Sequence, residues 1–402
     1  MASVSAQQPS GGRIAQTASR PWWKKVLFAQ ESGLLLVIAL MMAALTIYGA
    51  ANPKPQRERT SLPASAVVEN IAGGVRVTVD GKGTDYLESD GWSVRDVGGS
   101  QALFRETQVN RFFEPQNLVL LATNASFIAI MAVAMTAVIV LGGIDLSVGS
   151  IYALAAILGA MAMEHSQLGV WAVPMVLLVC CGVGAAAGAF NGTMIVGLRV
   201  HPFIITLGTM VVYKGIVFVT TRGQSIGNFP PEMTSGFFKA ELFGVNPVPG
   251  LLMLLVVTVG ALMLSLTVLG RRVYAIGGNE TAATYAGIPV GRVKVIVYTL
   301  MGAATGLSAA VYLGYYGAAQ PSAGDGYELR VIAAAVIGGA SLSGGRGSAI
   351  GAVLGALVIQ LIENAMIILG IDQSYNQIVM GAAIVAAVVL DQAKGRLTGP
   401  RR

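Results

Sequence analysis

The side chains able to do chemistry in this sequence are few, and their spacing yields no reactive constellation. Cys180 and Cys181 are adjacent inside an apolar stretch. Neighbours on a helix point in different directions, so the pair makes neither a disulfide framework nor a metal site. His165 and His201 are the only histidines, too few for a histidine-rich metal centre. A phosphate-cradling loop needs Gly-x-x-x-x-Gly-Lys followed by Ser or Thr; the only Gly-Lys pair, Gly81-Lys82, is followed by Gly83. What remains are isolated polar groups in apolar surroundings: Asp145, Lys214, Glu328, Arg330, Glu363 and the amides Asn191 and Asn364. Ionisable groups at membrane depth mark functional routes, yet no segment offers a series that could relay protons. No catalytic residue, metal site or cofactor is predicted.

The elements that must position these groups are themselves apolar. Hydrophobic residues fill 54% of 402 positions, charged residues only 11%, and the mean hydropathy is +0.68. A soluble chain carries roughly 25% charged residues, so this one has too few to cover a surface facing water. The 51 glycines suit helices that pack closely in lipid. Gly184/Gly188/Gly192, Gly302/Gly306 and Gly351/Gly355 form small-residue stripes of that kind. The net charge of +6 is not a nucleic-acid footprint, because no basic run is interleaved with aromatics.

About 20 apolar residues cross the hydrocarbon core as a helix. Segments 33–50, 117–141, 149–164, 168–190, 203–221, 250–269, 294–317, 330–341, 349–369 and 375–390 qualify, with 149–164 and 330–341 the weakest. The fold predicted is an all-α polytopic membrane protein of about ten transmembrane helices with a small β-rich extracytoplasmic insertion. With the N-terminus inside, the short inner segments hold fourteen basic residues (among them Arg13, Arg20, Lys24, Lys25, Arg199, Arg271, Arg272, Arg292, Lys294, Arg346, Lys394, Arg396, Arg401 and Arg402). The short outer loops hold three, Arg222, Lys239 and Arg330, so both termini are predicted cytoplasmic. Trp22 and Trp23 beside Lys24 and Lys25 fit an interfacial anchor, and 33–50 reads as an uncleaved first span rather than a signal peptide.

Residues 51–113 differ in kind. Asn52-Pro53-Lys54-Pro55 is a stiff polar exit from the membrane, and in Gly74-Val75-Arg76-Val77-Thr78-Val79-Asp80-Gly81 valines alternate with polar residues before a hairpin signal. A module of about 60 residues has a marginal core and must lean on the membrane part or on a partner. Two readings stand for it, a lineage-specific decoration and a docking surface for an extracytoplasmic partner.

Four motifs carry more specific information. Loop 270–293 contains Tyr274, Gly277, Gly278, Asn279, Glu280, Ala283 and Gly287. It predicts a short helix from Glu280 to Tyr285, N-capped by Asn279 and flanked by glycines. Gly142-Gly143-Ile144-Asp145-Leu146-Ser147-Val148-Gly149-Ser150 should interrupt a helix, with Asp145 capping the next one; a break at the route of passage and a tight turn at the inner face both fit. The other two are Ala319-Gln320-Pro321-Ser322-Ala323-Gly324-Asp325-Gly326-Tyr327-Glu328-Leu329 and Gly338-Gly339-Ala340-Ser341-Leu342-Ser343-Gly344-Gly345-Arg346-Gly347, the latter echoing 142–147.

Together these motifs resemble the permease subunits of carbohydrate-importing ABC transporters, the ribose, xylose, arabinose and galactose group, from about Phe112 to Leu390. The resemblance implies a cytoplasmic tail 1–32, a first transmembrane helix 33–50, an extracytoplasmic insertion 51–113, a permease domain 114–391 and a cytoplasmic tail 392–402 in a bacterial inner membrane. It implies ATPase subunits gripping loop 270–293, an extracytoplasmic solute-binding protein and a second permease chain. Asp145, Ser147, Asn191, Lys214, Glu328 and Asn364 are the candidates for the translocation path. Two departures stand out. The insertion is longer than the family's outer loop, and Arg330 replaces the acid more usual after Glu-Leu, which raises an anionic solute; an arginine merely paired with Glu328 or Asp325 is the alternative. Other substrates (a nucleoside, a branched-chain amino acid or a signalling sugar derivative) and an ion-coupled carrier or a receptor remain as further readings.

Overall fold

The computed structural model describes residues 30–398 except 64, 80, 98, 99, 165, 167, 243 and 244. The expectations for the N-terminal tail with Trp22 and Trp23, for Asp80 and His165, and for Arg401 and Arg402 therefore lie outside the described residues.

The membrane part is helical. Helix α1 spans Gln30–Ala51. After the insertion come α2 Pro115–Val140, α3 Val148–Met163, α4 Ala172–Leu198 and α5 Pro202–Thr221. Then follow α6 Val248–Leu266, α7 Val268–Gly278, α8 Glu280–Tyr285 and α9 Val290–Tyr316. The chain closes with α10 Tyr327–Ile337, α11 Ala349–Leu369 and α12 Asn376–Thr398. Among the described residues, seven helical segments are long and apolar enough to cross a membrane, rather than the ten expected. The two weak expectations explain part of the difference. Helix α3 has 16 residues and α10 only 11, too short to span ~30 Å of hydrocarbon at 1.5 Å per residue. Loop 270–293 also differs from expectation, since its first part is the helix α7.

Helix α2 lies at the centre. From Ala125 to Leu141 it is buried all round except for the partly open Ala134, as a helix apolar on every face requires. By contrast α6 exposes Leu251, Leu254, Leu255, Val259, Leu262 and Leu266, a surface that only lipid or another apolar face would cover.

The small-residue stripes find their partners. A Cβ on Gly184 would collide with the Gly302 carbonyl, and one on Gly302 with that of Gly184. Gly188 lies against the Tyr298 carbonyl and Gly306 against that of Cys180, so α4 and α9 pack backbone to backbone. Gly351 and Gly355 do the same against Gly338 and Ala334, joining α11 to α10. The stretches 142–147 and 338–343 close their helices in the same way, but one residue out of register with the echo in sequence. In α2, Gly142 (φ 86°) donates to Ile139 and Gly143 to Val138, both at 2.9 Å. In α10, Gly339 (φ 97°) donates to Val336 at 2.8 Å and Ala340 to Ala335 at 2.9 Å. This is the Schellman closure, which needs a residue at positive φ.

The insertion is β-structured. β1 Lys54–Ser61, β5 Trp92–Val97 and β6 Ser100–Val109 form an antiparallel sheet in the order β1-β6-β5. β2 Val67–Ile71, β3 Gly74–Val79 and β4 Lys82–Leu87 form a second in sequence order. Val79 pairs with Lys82 across a two-residue turn containing Gly81 at φ 77°. Arg76 and Asp85 form a two-pronged ion pair across β3 and β4, which holds the Asp85 carboxyl below the usual range. The module leans on the helices: Asn110 Nδ2 donates to the Thr46 carbonyl at 2.9 Å, and the fully buried Phe112 packs with Leu45, Leu121, Leu361 and Ile368.

Gly302→Val should leave the bundle unable to close, because the new side chain meets backbone that cannot yield; overpacking of this kind costs about 1–3 kcal/mol or more. Gly182→Val, where a Cβ meets nothing within 4 Å, should be tolerated. Thermal unfolding of the two variants in detergent checks the difference.

Candidate functional site

The polar residues singled out above fall into three places. The first is the inner junction around α7 and α8. Asn279 caps α8 by accepting from the Ala282 amide at 2.9 Å, and Glu280 pairs with Lys294 at 2.7 Å. The helix stops where Gly287, at φ 77°, turns the chain. Ala283 faces inward, 5% exposed, whereas Tyr285 stands 87% exposed on the opposite side. At the start of this unit Tyr274 donates its hydroxyl to the Gly347 carbonyl at 2.7 Å. Burial pushes the Tyr274 phenol up, which keeps it a donor. Gly277 lies flush on the Val140 carbonyl and 2.7 Å, measured from a hypothetical Cβ, from the Gly345 amide nitrogen. That amide itself donates to Val140 at 2.8 Å. Two of the four motifs thus meet at the end of α2. Gly278 has open space around it.

Beside this junction is a cavity of about 890 Å³ lined by Gly142, Gly143, Arg199, His201, Glu280, Lys294 and Tyr298, among others. Arg199 ends α4 in the left-handed conformation (φ 56°).

The second place is fully buried. Tyr213 donates to Asn191 Oδ1 at 3.4 Å, Asn191 donates to Ser147 Oγ at 2.8 Å, and Ser147 Oγ donates to Asp145 Oδ1 at 2.6 Å. The Ser147 amide reaches the same oxygen at 2.8 Å. Asp145 therefore does not cap the first turn of α3. The stretch 142–147 is non-helical, and from two residues before the helix the carboxylate reaches only the residue that starts it. Asp145 Oδ2 is buried with no hydrogen-bond partner among the described residues.

The third place is a cavity of about 340 Å³ at the paired starts of α3 and α10, lined by Ser150, Lys214, Asp325 and Glu328 among others. Lys214 Nζ lies 2.9 Å from Asp325 Oδ1. Gly149 and Gly324 make this approach feasible: each would drive a Cβ into the backbone of the other, and Gly324 also sits at φ 82°. Lys214 differs from expectation, since 47% of its side chain is exposed in the single chain instead of facing the bundle interior.

Asn364 stands apart from all three. It exchanges hydrogen bonds with Asn117, at 2.7 and 3.3 Å, in a self-satisfied amide pair between α2 and α11. Arg330 pairs with neither Glu328 nor Asp325. It reaches Glu363 on α11 at 2.9 Å and lies over the Tyr327 ring, because it sits on the face of α10 turned to α11. Sequence reasoning missed Tyr285 and Asp325 as site residues. The signals were a lone aromatic in an Ala/Thr-rich helix and a carboxylate between two glycines.

With this geometry in view, comparison with known proteins decides the family. The family described as "branched-chain amino acid transport system / permease component" matches residues 117–388. This chain belongs to that permease family. It is 41% identical over 285 residues to the ribose import permease of Bacillus subtilis (strain 168), covering 70% of this chain and 87% of the relative. It is 36% identical over 294 residues to the D-allose transport system permease of Escherichia coli (strain K12), covering 72% and 88%. With the autoinducer 2 import system permease of Enterobacter sp. (strain 638) it shares 34% over 282 residues, covering 70% and 80%. No solved structure gives a significant match. The match begins at 117, so the β module precedes everything the family description covers.

Tyr274→Phe strands the Gly347 carbonyl at the junction and should lower stability by about 1–2 kcal/mol. Thermal unfolding of the permease in detergent, compared with the exposed-site control Tyr285→Phe, measures it.

Proposed function

We propose that this permease is the membrane-spanning subunit of an ATP-driven importer and forms the path for a monosaccharide. An extracytoplasmic binding protein delivers the sugar, and ATPase subunits engage α8 from the cytoplasm. The observation that carries the reading is α8 itself, a capped stub of helix that presents exposed Tyr285 and follows directly on α7, whose Gly277 sits on α2 and the 338–347 turn. The sequence has no phosphate-binding loop of its own, so the energy must arrive through a contact of this sort. The ribose and D-allose import relatives support the sugar. The autoinducer 2 import relative keeps a signalling molecule as the alternative cargo.

In this reading both termini are cytoplasmic, the 51–113 module is extracytoplasmic, and α3, α10 and α12 complete the membrane domain of an inner-membrane protein. Two permease chains enclose the path. A push on α8 moves Gly277, and with it the end of α2 and the Gly345 turn. From Val140 the chain runs through 142–147, held by Asp145, Ser147 and Asn191, to Ser150 at the wall of the smaller cavity. The path then runs along Lys214 and Glu328; the Asn117–Asn364 pair ties helices and takes no part in it.

Vesicles containing the permease, its ATPase and its binding protein should take up D-ribose or D-allose with ATP, and vanadate should stop them. Tyr285→Ala should leave the permease's melting temperature unchanged and lower ATP-driven uptake by about tenfold, the loss of one well-packed interface aromatic. Uptake that continues without ATPase subunits would establish an ion-coupled carrier instead.

A further inference from the structure

Lys214 sits about 18 Å along α5 from Pro202 and about 10 Å short of Thr221, at 1.5 Å per residue. That is the middle of a helix long and apolar enough to cross a membrane. An ammonium group facing hydrocarbon at that depth is strongly disfavoured, yet half of this side chain is open, as is half of Asp325. The opening therefore faces water or a polar solute. The neighbours match: Glu328 places Oε2 against Gly149, and Ser150 and Phe218 also line the cavity.

The geometry points to a binding site for a neutral polyhydroxylated solute in this cavity, a resting place within the path; it rests on the importer reading above. Two carboxylates accept hydrogen bonds from hydroxyls, one ammonium donates to them, and Ser150, whose own proton goes to the Ser147 carbonyl at 2.8 Å, accepts. Phe218 offers an apolar face to the C–H side of a ring. The volume of about 340 Å³ lies at the small end of ligand pockets, roughly 300–1,000 Å³, which suits one small sugar. The Lys214–Asp325 pair is half exposed, and such pairs contribute little, so hydroxyl groups can part them and take their place. The three charges sum to one negative, which selects against acidic sugars. Arg330, the residue that raised an anionic cargo, is neutralised by Glu363 away from this wall.

The test uses the complete importer in vesicles, with Gly215→Cys, on the cavity lining where a Cβ meets nothing within 4 Å, in a Cys180→Ala, Cys181→Ala background and a charged, water-soluble thiol reagent. The thiol should react. With D-ribose or D-allose at ten times its binding constant, labelling should slow about tenfold, as site occupancy requires. Val211→Cys, exposed on the same lining, should behave alike and serves if Gly215→Cys is not recovered. A thiol that never reacts, or reacts at the same rate with either sugar present, overturns the site. If the unaltered complex imports neither sugar while protection is still seen, the importer reading falls and the site stands.

Discussion

Contact between backbones with no side chain between them is the constraint on which this structure depends. In lipid, helices gain nothing from hiding apolar surface from one another, so cohesion must come from close packing and from polar bonds. The α4–α9 pair meets this demand with Gly184, Gly188, Gly302 and Gly306, each of which would lose its place on gaining a Cβ. The same device recurs at Gly277, where the α7–α8 unit touches the end of α2, and at Gly149 and Gly324, where α3 and α10 begin. Stability and communication thus use one kind of contact. A junction of backbone on backbone has no rotamer to absorb a displacement, and so it passes motion on.

Charge in the membrane part follows a complementary rule. Arg330 is answered by Glu363, Lys214 by Asp325, and the buried Asp145 by Ser147 with Asn191 behind it. The first and third lie inside packed protein, where a pair or a hydrogen-bond chain offsets the loss of water. The second is open. That contrast separates groups that tie helices together from groups available to a solute, and residue type alone does not reveal it.

Much of the architecture was legible because the signals are local. The apolar segments, the α8 stub with its Asn279 cap, the turn at Gly81 and the glycines that close α2 and α10 can each be read within a dozen residues. The short helices α3 and α10 were visible only as weak segments, because hydropathy registers composition and not where a helix starts within the bilayer. Ion pairing was illegible for a simple reason. Glu328 and Asp325 are neighbours of Arg330 in sequence, but α10 turns Arg330 toward α11 and leaves Asp325 beside α5, far away along the chain. Lys214 looked like an interior group because its helix is apolar all round; only the packing shows that its face is open.

The placement of the four motifs also explains why a chain without an energy source needs so few specialised residues. Val140 at the inner junction and Ser150 at the smaller cavity are separated by a single non-helical link. Asp145 fixes that link from within, and Tyr298 and Thr206 both direct hydroxyls to the Ile144 carbonyl at 3.4 Å. A segment with no internal helix bonds would otherwise be soft, and irregular backbone at this depth is tolerated only when surrounding protein satisfies it. Here α4, α5 and α9 each contribute a polar group to that one stretch. These bonds stiffen the connection between the α7–α8 junction and the smaller cavity, so the helices around it can stay apolar.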